Sequence, residues 1–276
     1  MNVLVDGRKI AEGLKDELRR DLREFSKRPS LGVIVATDAL ATRKFVERKC
    51  EFGKSIGVKV QLYELSPSAS TMELVAAVRH AAGKHEGLVV QLPLPGAADV
   101  DAVRNAIPVT HDVDAISDGA IAEFEGATLP ILPPVVGAIA EIVKQHNVVV
   151  SGAHAVVVGQ GRLVGKPAAA WLRREGAVVY IFEKDADASS EFAQANIIVL
   201  GAGSPGLLTP SMIKEGVVIF DAGTSEAMGK LSGDADPTCA EKASLFTPVP
   251  GGIGPITVAL IFINLLTLAK HKLARQ

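Results

Sequence analysis

The sequence has little of what usually marks a secreted, metal-binding or nucleic-acid-binding protein. Its 276 residues include only two cysteines, Cys50 and Cys239. That is too few for a disulfide framework, and without a C-x-x-C spacing they fit a reducing compartment. The six histidines show no H-E-x-x-H or comparable ligand spacing, so no metal site is expected. Neither sign of charge dominates: 29 Lys and Arg stand against 31 Asp and Glu, a net of -2. There is therefore no basic field to hold a nucleic acid nonspecifically, and a small-molecule substrate is the better expectation. A long hydrophobic run is also missing. The most apolar stretch, ITVALIFINLLTLA, is bounded by Pro255 and Lys270 and interrupted by Asn264, short of the roughly 20 residues a membrane span requires. It reads as a buried helix. The opening MNVLVDGRKIAEGLKDELRR enters a charged helical pattern without the apolar stretch of a secretory signal, which predicts a cytoplasmic location with no membrane partner. Internal repeats of solenoid length and low-complexity tails do not occur.

What is present is 48% hydrophobic residues, enough for a substantial core in one large or two modest domains. Extended and helical patterns alternate, which predicts an α/β fold with parallel strands. A helix over about residues 8–25 leads to the strand LGVIVA, the helix TRKFVERKCEFGKSIG and the strand VKVQLYEL. Ser70 and Glu73 form a capping box at the start of STMELVAAVRHAAG, and the strand GLVVQL is stopped by PLPG. The proline-rich ATLPILPP interrupts the series and divides it into a first domain over 1–130 and a second over 131–255. Helix VVGAIAEIVKQHN, strand HAVVVG, helix VGKPAAAWLRREG and strands AVVYIF, ANIIVLGAG and GVVIFDAG follow.

The loop after HAVVVG places Gly159, Gly161 and Gly165 between a strand and a helix, one residue longer than the usual dinucleotide fingerprint. Glycines there let the backbone turn tightly and approach a pyrophosphate, whose charge the helix N-terminus stabilises. Alone, the motif fits a purely structural strand-to-helix turn nearly as well. Glu183 ends the next strand, 24 residues after Gly159, where an acidic side chain meets ribose hydroxyls in such folds.

The strings TPVPGGIGPITVALIFIN, VVQLPLP, DVDA and VVVGQGRLVGKP occur in the order seen in the bifunctional methylenetetrahydrofolate dehydrogenase/cyclohydrolases, which the chain resembles over essentially its whole length. Phe45-Val46-Glu47-Arg48-Lys49 is similar to that family's Tyr-Val-x-x-Lys. The resemblance implies two α/β domains with a cleft between them, the second a Rossmann-like NAD(P)-binding domain, in a homodimer. The first domain would hold folate and be completed by the C-terminal helix over 256–276. It implies oxidation of methylenetetrahydrofolate to methenyltetrahydrofolate, then hydrolysis to formyltetrahydrofolate. Lys49 would be the catalytic lysine, Gln91 its partner and Asp114 the carboxylate that holds the pterin. Phe45, Gly251, Gly252 and Pro255 would line the folate pocket. The nucleotide would meet Gly159, Gln160, Gly161, Arg162, Leu163, Val164, Gly165, Glu183, Lys184 and Thr224.

These assignments make chemical sense. Residues four apart share a helix face, so Phe45 can stack on a flat ring while Lys49 reaches the carbon bridge beside it. Burial lowers a lysine's pKa and so frees its amine for proton transfer. Each residue also has a plainer reading: Lys49 as a solvated helix face, Gln91 as a strand cap, Asp114 as a turn residue, and GGIGP as a tight connection. A single ligand would explain all four together.

The chain departs from the family at several points. Phe45 keeps ring stacking but loses the tyrosine hydroxyl, leaving hydrolysis less secure than hydride transfer. LPILPP replaces Pro-Cys-Thr-Pro, His111 replaces a lysine, and Ala115 replaces the glycine after Asp114. Gln160 removes a charge and Glu183 would repel a 2′-phosphate, which favours NAD, whereas Arg162, Lys184 and the family habit favour NADP. The expectation is NADP, with NAD as the alternative.

Overall fold

The structure, a computed structural model, describes residues 2–227 and 230–274. The chain begins with β1 (Val3–Leu4), α1 (Gly7–Asp21), β2 (Leu31–Val35), α2 (Leu40–Ile56), β3 (Val60–Glu64), α3 (Thr71–Ala82) and β4 (Gly87–Val90). Three helices follow, α4 (Val100–Asn105), α5 (Asp118–Glu125) and α6 (Pro134–His146). Then come β5 (His154–Val158), α7 (Gly165–Arg174), β6 (Val178–Phe182), α8 (Ser189–Gln194), β7 (Ile197–Leu200) and β8 (Val218–Asp221). A hairpin of β9 (Ser225–Ala227) and β10 (Lys230–Ser232), the short β11 (Leu245–Phe246) and the long α9 (Ile253–Leu273) complete it. Two compact units result, one of Glu12–Pro134 with Val258–Gln276 and the other of Met1–Ala11 with Val135–Thr257.

In the first of these units β3, β2 and β4 form a parallel three-stranded sheet with β2 in the middle. Every residue of β2 is buried, as befits a parallel strand covered on both faces. One cluster packs Val33 and Val35 with Val46 of α2 and Phe262, Leu265 and Leu266 of α9. A second joins Ile34 and Val90 to Leu74 and Val78 of α3. These contacts fix which face of α2 turns inward. The helix stops at Gly57, whose φ of 77° makes the left-handed cap that glycine adopts without strain. The capping box of Ser70 and Glu73 forms as the sequence predicts. Among the described residues α9 is the one helix long and apolar enough to cross a membrane, yet 67% of its apolar window is buried in the protein. Asn264, the polar interruption in that helix, donates to the carbonyls of Val113 and Leu132, both at 2.8 Å. Its amide thereby satisfies two loop carbonyls that burial would otherwise leave unpaired.

The second unit holds a six-stranded parallel sheet in the order β1-β11-β8-β7-β5-β6. Residues 1–11, placed with the first domain on sequence pattern, pack with this unit because β1 pairs with β11. The strand order turns at β5, which has β6 on one side and β7 on the other. At such a point the flanking connections leave in opposite directions and open a crevice at the strands' carboxyl ends. The glycine loop of residues 159–165 begins there.

Candidate active site

Lys49 lies on the inward face of α2 and is only 8% exposed. Its Nζ donates to Oε1 of Gln91 at 2.8 Å. Gln91 follows β4, its backbone N–H bonded to the Ile34 carbonyl, while its Nε2 donates to the Leu92 carbonyl at 3.0 Å. That second bond fixes the amide so that its oxygen faces the lysine. Burial pulls the Lys49 pKa below the ordinary lysine value, with Asp114 opposing the shift. The converse holds at Asp114: burial pushes its carboxyl up to about 6, Lys49 draws it down and Asp112 raises it. Lys49, Gln91 and Asp114 are thus brought into one local field, with Phe45 half-buried one turn before Lys49. The Arg48 guanidinium lies 5.6 Å from the Phe45 ring centre, a cation–π contact.

Asp112 was not anticipated as part of this arrangement. It is fully buried, and its Oδ2 accepts the N–H groups of Ile116 at 3.0 Å and Ser117 at 2.8 Å. The carboxylate so clamps the turn that carries Asp114. Ala115 in that turn has a φ of 53°, in the left-handed region where a β-carbon is strained and glycine is not. The cysteines take no part: burial raises the thiol pKa of both, that of Cys239 to about 11, away from the reactive thiolate.

The glycine loop has two tight points and one open one. Gly159 has a φ of 93°, and a β-carbon there would lie 2.5 Å from the Gly201 carbonyl oxygen. One on Gly165 would lie 1.7 Å from the Gly159 oxygen, whereas one on Gly161 would meet nothing within 4 Å. Tight packing at 159 and 165 seats the strand-to-helix turn, and the backbone at 161 faces open space that a phosphate can enter. Gln160, Gly161, Arg162 and Leu163 are exposed. Val164 supplies no capping side chain to α7; within its first turn the Lys166 N–H donates to the Gly161 carbonyl at 3.2 Å and Pro167 has none, so the helix offers an anion its positive dipole and the Gly165 N–H. These features fit a bound dinucleotide. Beside the loop lies an open groove of about 300 Å³ lined by Val158, Lys184, Ser189, Phe192, Ser204 and Leu207, among others. Lys184 thus faces the groove; its neighbour Glu183 is exposed and does not line it. Ser189 and Ser204 carry no sequence motif, so only the fold reveals them. Thr224 is exposed between β8 and β9.

Gly251, Gly252 and Pro255 belong to the nucleotide-loop unit. The Val249–Pro250 bond is cis, Gly251 has a φ of 114°, and Gly252 donates to the Pro248 carbonyl at 2.7 Å. Gly7 seats this loop. Its N–H bonds to the Gly251 carbonyl at 2.9 Å, and a β-carbon on it would lie 1.8 Å from the Gly252 oxygen. No local signal at Gly7 could have shown this, because its partners lie at the other end of the sequence.

A parallel sheet that turns its order at β5, with a glycine loop opening onto a helix there, defines a Rossmann-type nucleotide unit. Joined to a second α/β unit with a buried lysine, it places the protein among the two-domain NAD(P)-dependent enzymes. Residues 5–114 match the catalytic domain, and residues 133–273 the NAD(P)-binding domain, of tetrahydrofolate dehydrogenase/cyclohydrolase. The bifunctional protein FolD of Halothermothrix orenii is 35% identical over 284 residues, covering 98% of this chain and 99% of its own. That of Caldanaerobacter subterraneus subsp. tengcongensis is 33% identical over 273 residues, with 98% and 97% covered. The crystal structure of the Trypanosoma brucei methylenetetrahydrofolate dehydrogenase-cyclohydrolase, complexed with NADP and an inhibitor, superposes with a TM-score of 0.94 at 28% identity, covering 98% of both chains. The chain belongs to the tetrahydrofolate dehydrogenase/cyclohydrolase family. It is an enzyme of one-carbon metabolism with the dehydrogenase and cyclohydrolase activities that this family joins, and NAD(P) is its hydride acceptor.

Proposed function

We propose that Lys49, Gln91 and Asp114 serve both activities: oxidation of methylenetetrahydrofolate to methenyltetrahydrofolate, then hydrolysis to formyltetrahydrofolate. The observation that carries this reading is the buried Lys49 amine held on an oriented, neutral amide. When bound, NADP supplies the acceptor for the hydride that leaves the methylene carbon. Asp114 accepts hydrogen bonds from the amino and ring N–H groups of the pterin; with a pKa of about 6 it is ionised at neutral pH, which strengthens those bonds. Phe45 stacks on the ring system, and Gly251, Gly252 and Pro255 offer backbone that a flat ligand can approach closely.

In hydrolysis, water adds to the methenyl carbon and its proton passes to the neutral Lys49 amine. The amine returns a proton to the pterin-side nitrogen as that C–N bond breaks, which leaves the formyl group, and the net proton goes to solvent. Burial makes this possible, because an amine that stays charged cannot accept a proton. Gln91 positions the lysine without adding a charge that would hold it protonated.

The loop from Gly159 to Gly165, with Gln160, Arg162, Leu163 and Val164 between, would hold the cofactor phosphates at the N-terminus of α7, and Thr224 would lie nearby. We favour NADP because Lys184 faces the groove and Glu183 does not; the Trypanosoma brucei relative was crystallised with NADP. A homodimer in the cytoplasm completes the reading. β6 is an open sheet edge on which Val178 is 55% and Tyr180 39% exposed, and an uncovered edge invites a second copy.

The test is to follow reduced cofactor and the methenyl chromophore separately with NAD and NADP, and to measure both dissociation constants on two variants. Lys184→Gln should weaken NADP more than NAD by about 1.5–3 kcal/mol, the worth of a charged hydrogen bond. Glu183→Gln should help NADP and hardly change NAD. Equal losses for both nucleotides would defeat the assignment.

A further inference from the structure

We propose that Asp234 is a positioning residue for the nucleotide, holding the 204–207 wall of the groove through three backbone N–H groups that converge on its carboxylate. This rests on the reading of that groove as part of the nucleotide site. Asp234 follows the β9–β10 hairpin and is fully buried. Its Oδ2 accepts the N–H groups of Ala202 at 2.7 Å and Gly203 at 3.1 Å, and its Oδ1 accepts that of Ser204 at 2.6 Å. Successive N–H groups aimed at one point make an anion-binding concavity; here the protein fills it with its own carboxylate. The Asp234 carbonyl also accepts the Leu208 N–H at 3.2 Å. One residue therefore ties down both ends of the segment from Ala202 to Leu208. Ser204 at one tie, and Pro205, Gly206 and Leu207 between the two, all line the groove that Lys184 faces.

Within this segment one turn bond forms, the Leu207 N–H donating to the Ser204 carbonyl at 3.2 Å, and its glycines weaken the rest. Gly203 and Gly206 have φ values of 64° and 75°, and glycines lose the most conformational freedom when ordered. The anchor itself is braced. Asp221, at the end of β8, accepts the N–H groups of Asp234 at 3.2 Å and Ala235 at 2.9 Å, and its own N–H bonds to Thr247 Oγ1 at 2.7 Å. A β-carbon on Gly223 would lie 2.2 Å from the Asp234 carboxyl carbon, so the carboxylate is hemmed in on that side. Ser225 adds a lighter tie, its Oγ donating to the Gly203 carbonyl at 3.0 Å. Asparagine at 234 would keep one acceptor oxygen but turn an amide N–H₂ toward backbone donors, and the wall would lose its register.

Methenyl hydrolysis consumes no nucleotide and uses Lys49 in the other unit, so it serves as an internal control. The experiment uses full-length Asp234→Asn and measures NADP affinity by calorimetry, amide hydrogen exchange at 202–204, and hydrolysis without nucleotide. The expected result is an NADP dissociation constant raised roughly tenfold or more, lost protection at those amides, and hydrolysis within about twofold of the unaltered protein. Unchanged NADP affinity in the folded variant overturns the proposal. So does hydrolysis that falls in step with affinity, which would make Asp234 a general anchor of the fold. Unaltered protein that bound no NADP would overturn the groove reading and this proposal with it, whereas tight binding by both proteins overturns this proposal alone. If Asp234→Asn does not fold, Ser225→Ala decides. It loosens the same segment without touching a buried charge, so a weaker NADP complex with intact hydrolysis supports the proposal, and an unchanged complex overturns it.

Discussion

The two units use opposite physical means. Around Lys49 the proposed chemistry belongs to side chains drawn away from water: a buried amine on a fixed, half-buried amide, and a half-buried carboxyl whose pKa is lifted to about 6. Around Gly159 it belongs to the backbone, with Gly159 and Gly165 so tightly seated that a β-carbon would collide with a carbonyl, while the side chains of Gln160, Arg162 and Leu163 between them are exposed. Where burial does the work, function is sensitive to a change of charge. Where the backbone does it, function is sensitive to a change of a single methyl.

The sharpest break of that comparison is Lys49→Met, which keeps the stem and removes the amine. Methenyl hydrolysis should fall by roughly a thousandfold or more, in line with losing an acid–base group, while NADP affinity stays within about twofold. Carboxyl-carbon NMR on the same variant should show the Asp114 pKa rising above its starting value of about 6, since Lys49 is what draws it down. The buried Asp221 of the other unit, also pushed to about 6, should stay in place. Both carboxyls have folded pKa values above the ordinary 3.8, so the folded state holds these protons more tightly than the unfolded chain does. The stability they contribute is full below about pH 4 and is lost as pH rises through about 6. Substantial hydrolysis by the variant would remove Lys49 from the mechanism.

The complementary break is Gly165→Ala. The added methyl would sit on the Gly159 carbonyl oxygen, so the loop must rebuild. Nucleotide binding should weaken by about 2–3 kcal/mol while nucleotide-independent hydrolysis survives. Titration calorimetry alongside the chromophore assay checks both parts, and parallel loss of the two functions would contradict the division of labour.

A smaller effect is expected from Phe45→Tyr, which restores the hydroxyl seen in the family. Hydrolysis should rise severalfold relative to dehydrogenation, on the order of the 0.5–1.5 kcal/mol of one hydrogen bond. Loss of both activities would show that the pocket has repacked around phenylalanine.

Ala115→Gly should have the smallest effect. It relieves the left-handed strain beside Asp114, but the added freedom of the unfolded glycine offsets most of the gain, so a net stabilisation of about 0.5 kcal/mol or less is expected in denaturant melts. A destabilised variant would mean that the Ala115 methyl, buried in the core of the Lys49 unit, matters more than the backbone strain.

The sequence made some elements plain and left others hidden. Strands of four or five apolar residues such as β2 and β5 showed themselves, as did the α3 capping box, because each is encoded in neighbouring residues. β1 and β11 did not: two residues cannot display an alternation, and β1 forms because β11 is there to pair with, β11 because it lies between β1 and β8. The glycine spacing at 159–165 pointed to a phosphate loop but left open a structural turn. The open space at Gly161 and the lack of a side-chain cap on α7 favour the loop.

By itself the sequence determined the α/β alternation, the glycine loop and the presence of Lys49, Gln91 and Asp114, since periodicity and motifs are properties of short stretches. Only the tertiary structure decided that Lys49 loses its water, that Gln91 presents oxygen and not nitrogen to it, that Gly7 seats the loop at Gly251, and that Asp234 gathers the N–H groups of 202–204. Each of these joins residues far apart in the chain. Burial, hydrogen-bond direction and steric contact are set by whatever the fold brings alongside, and no local pattern encodes that.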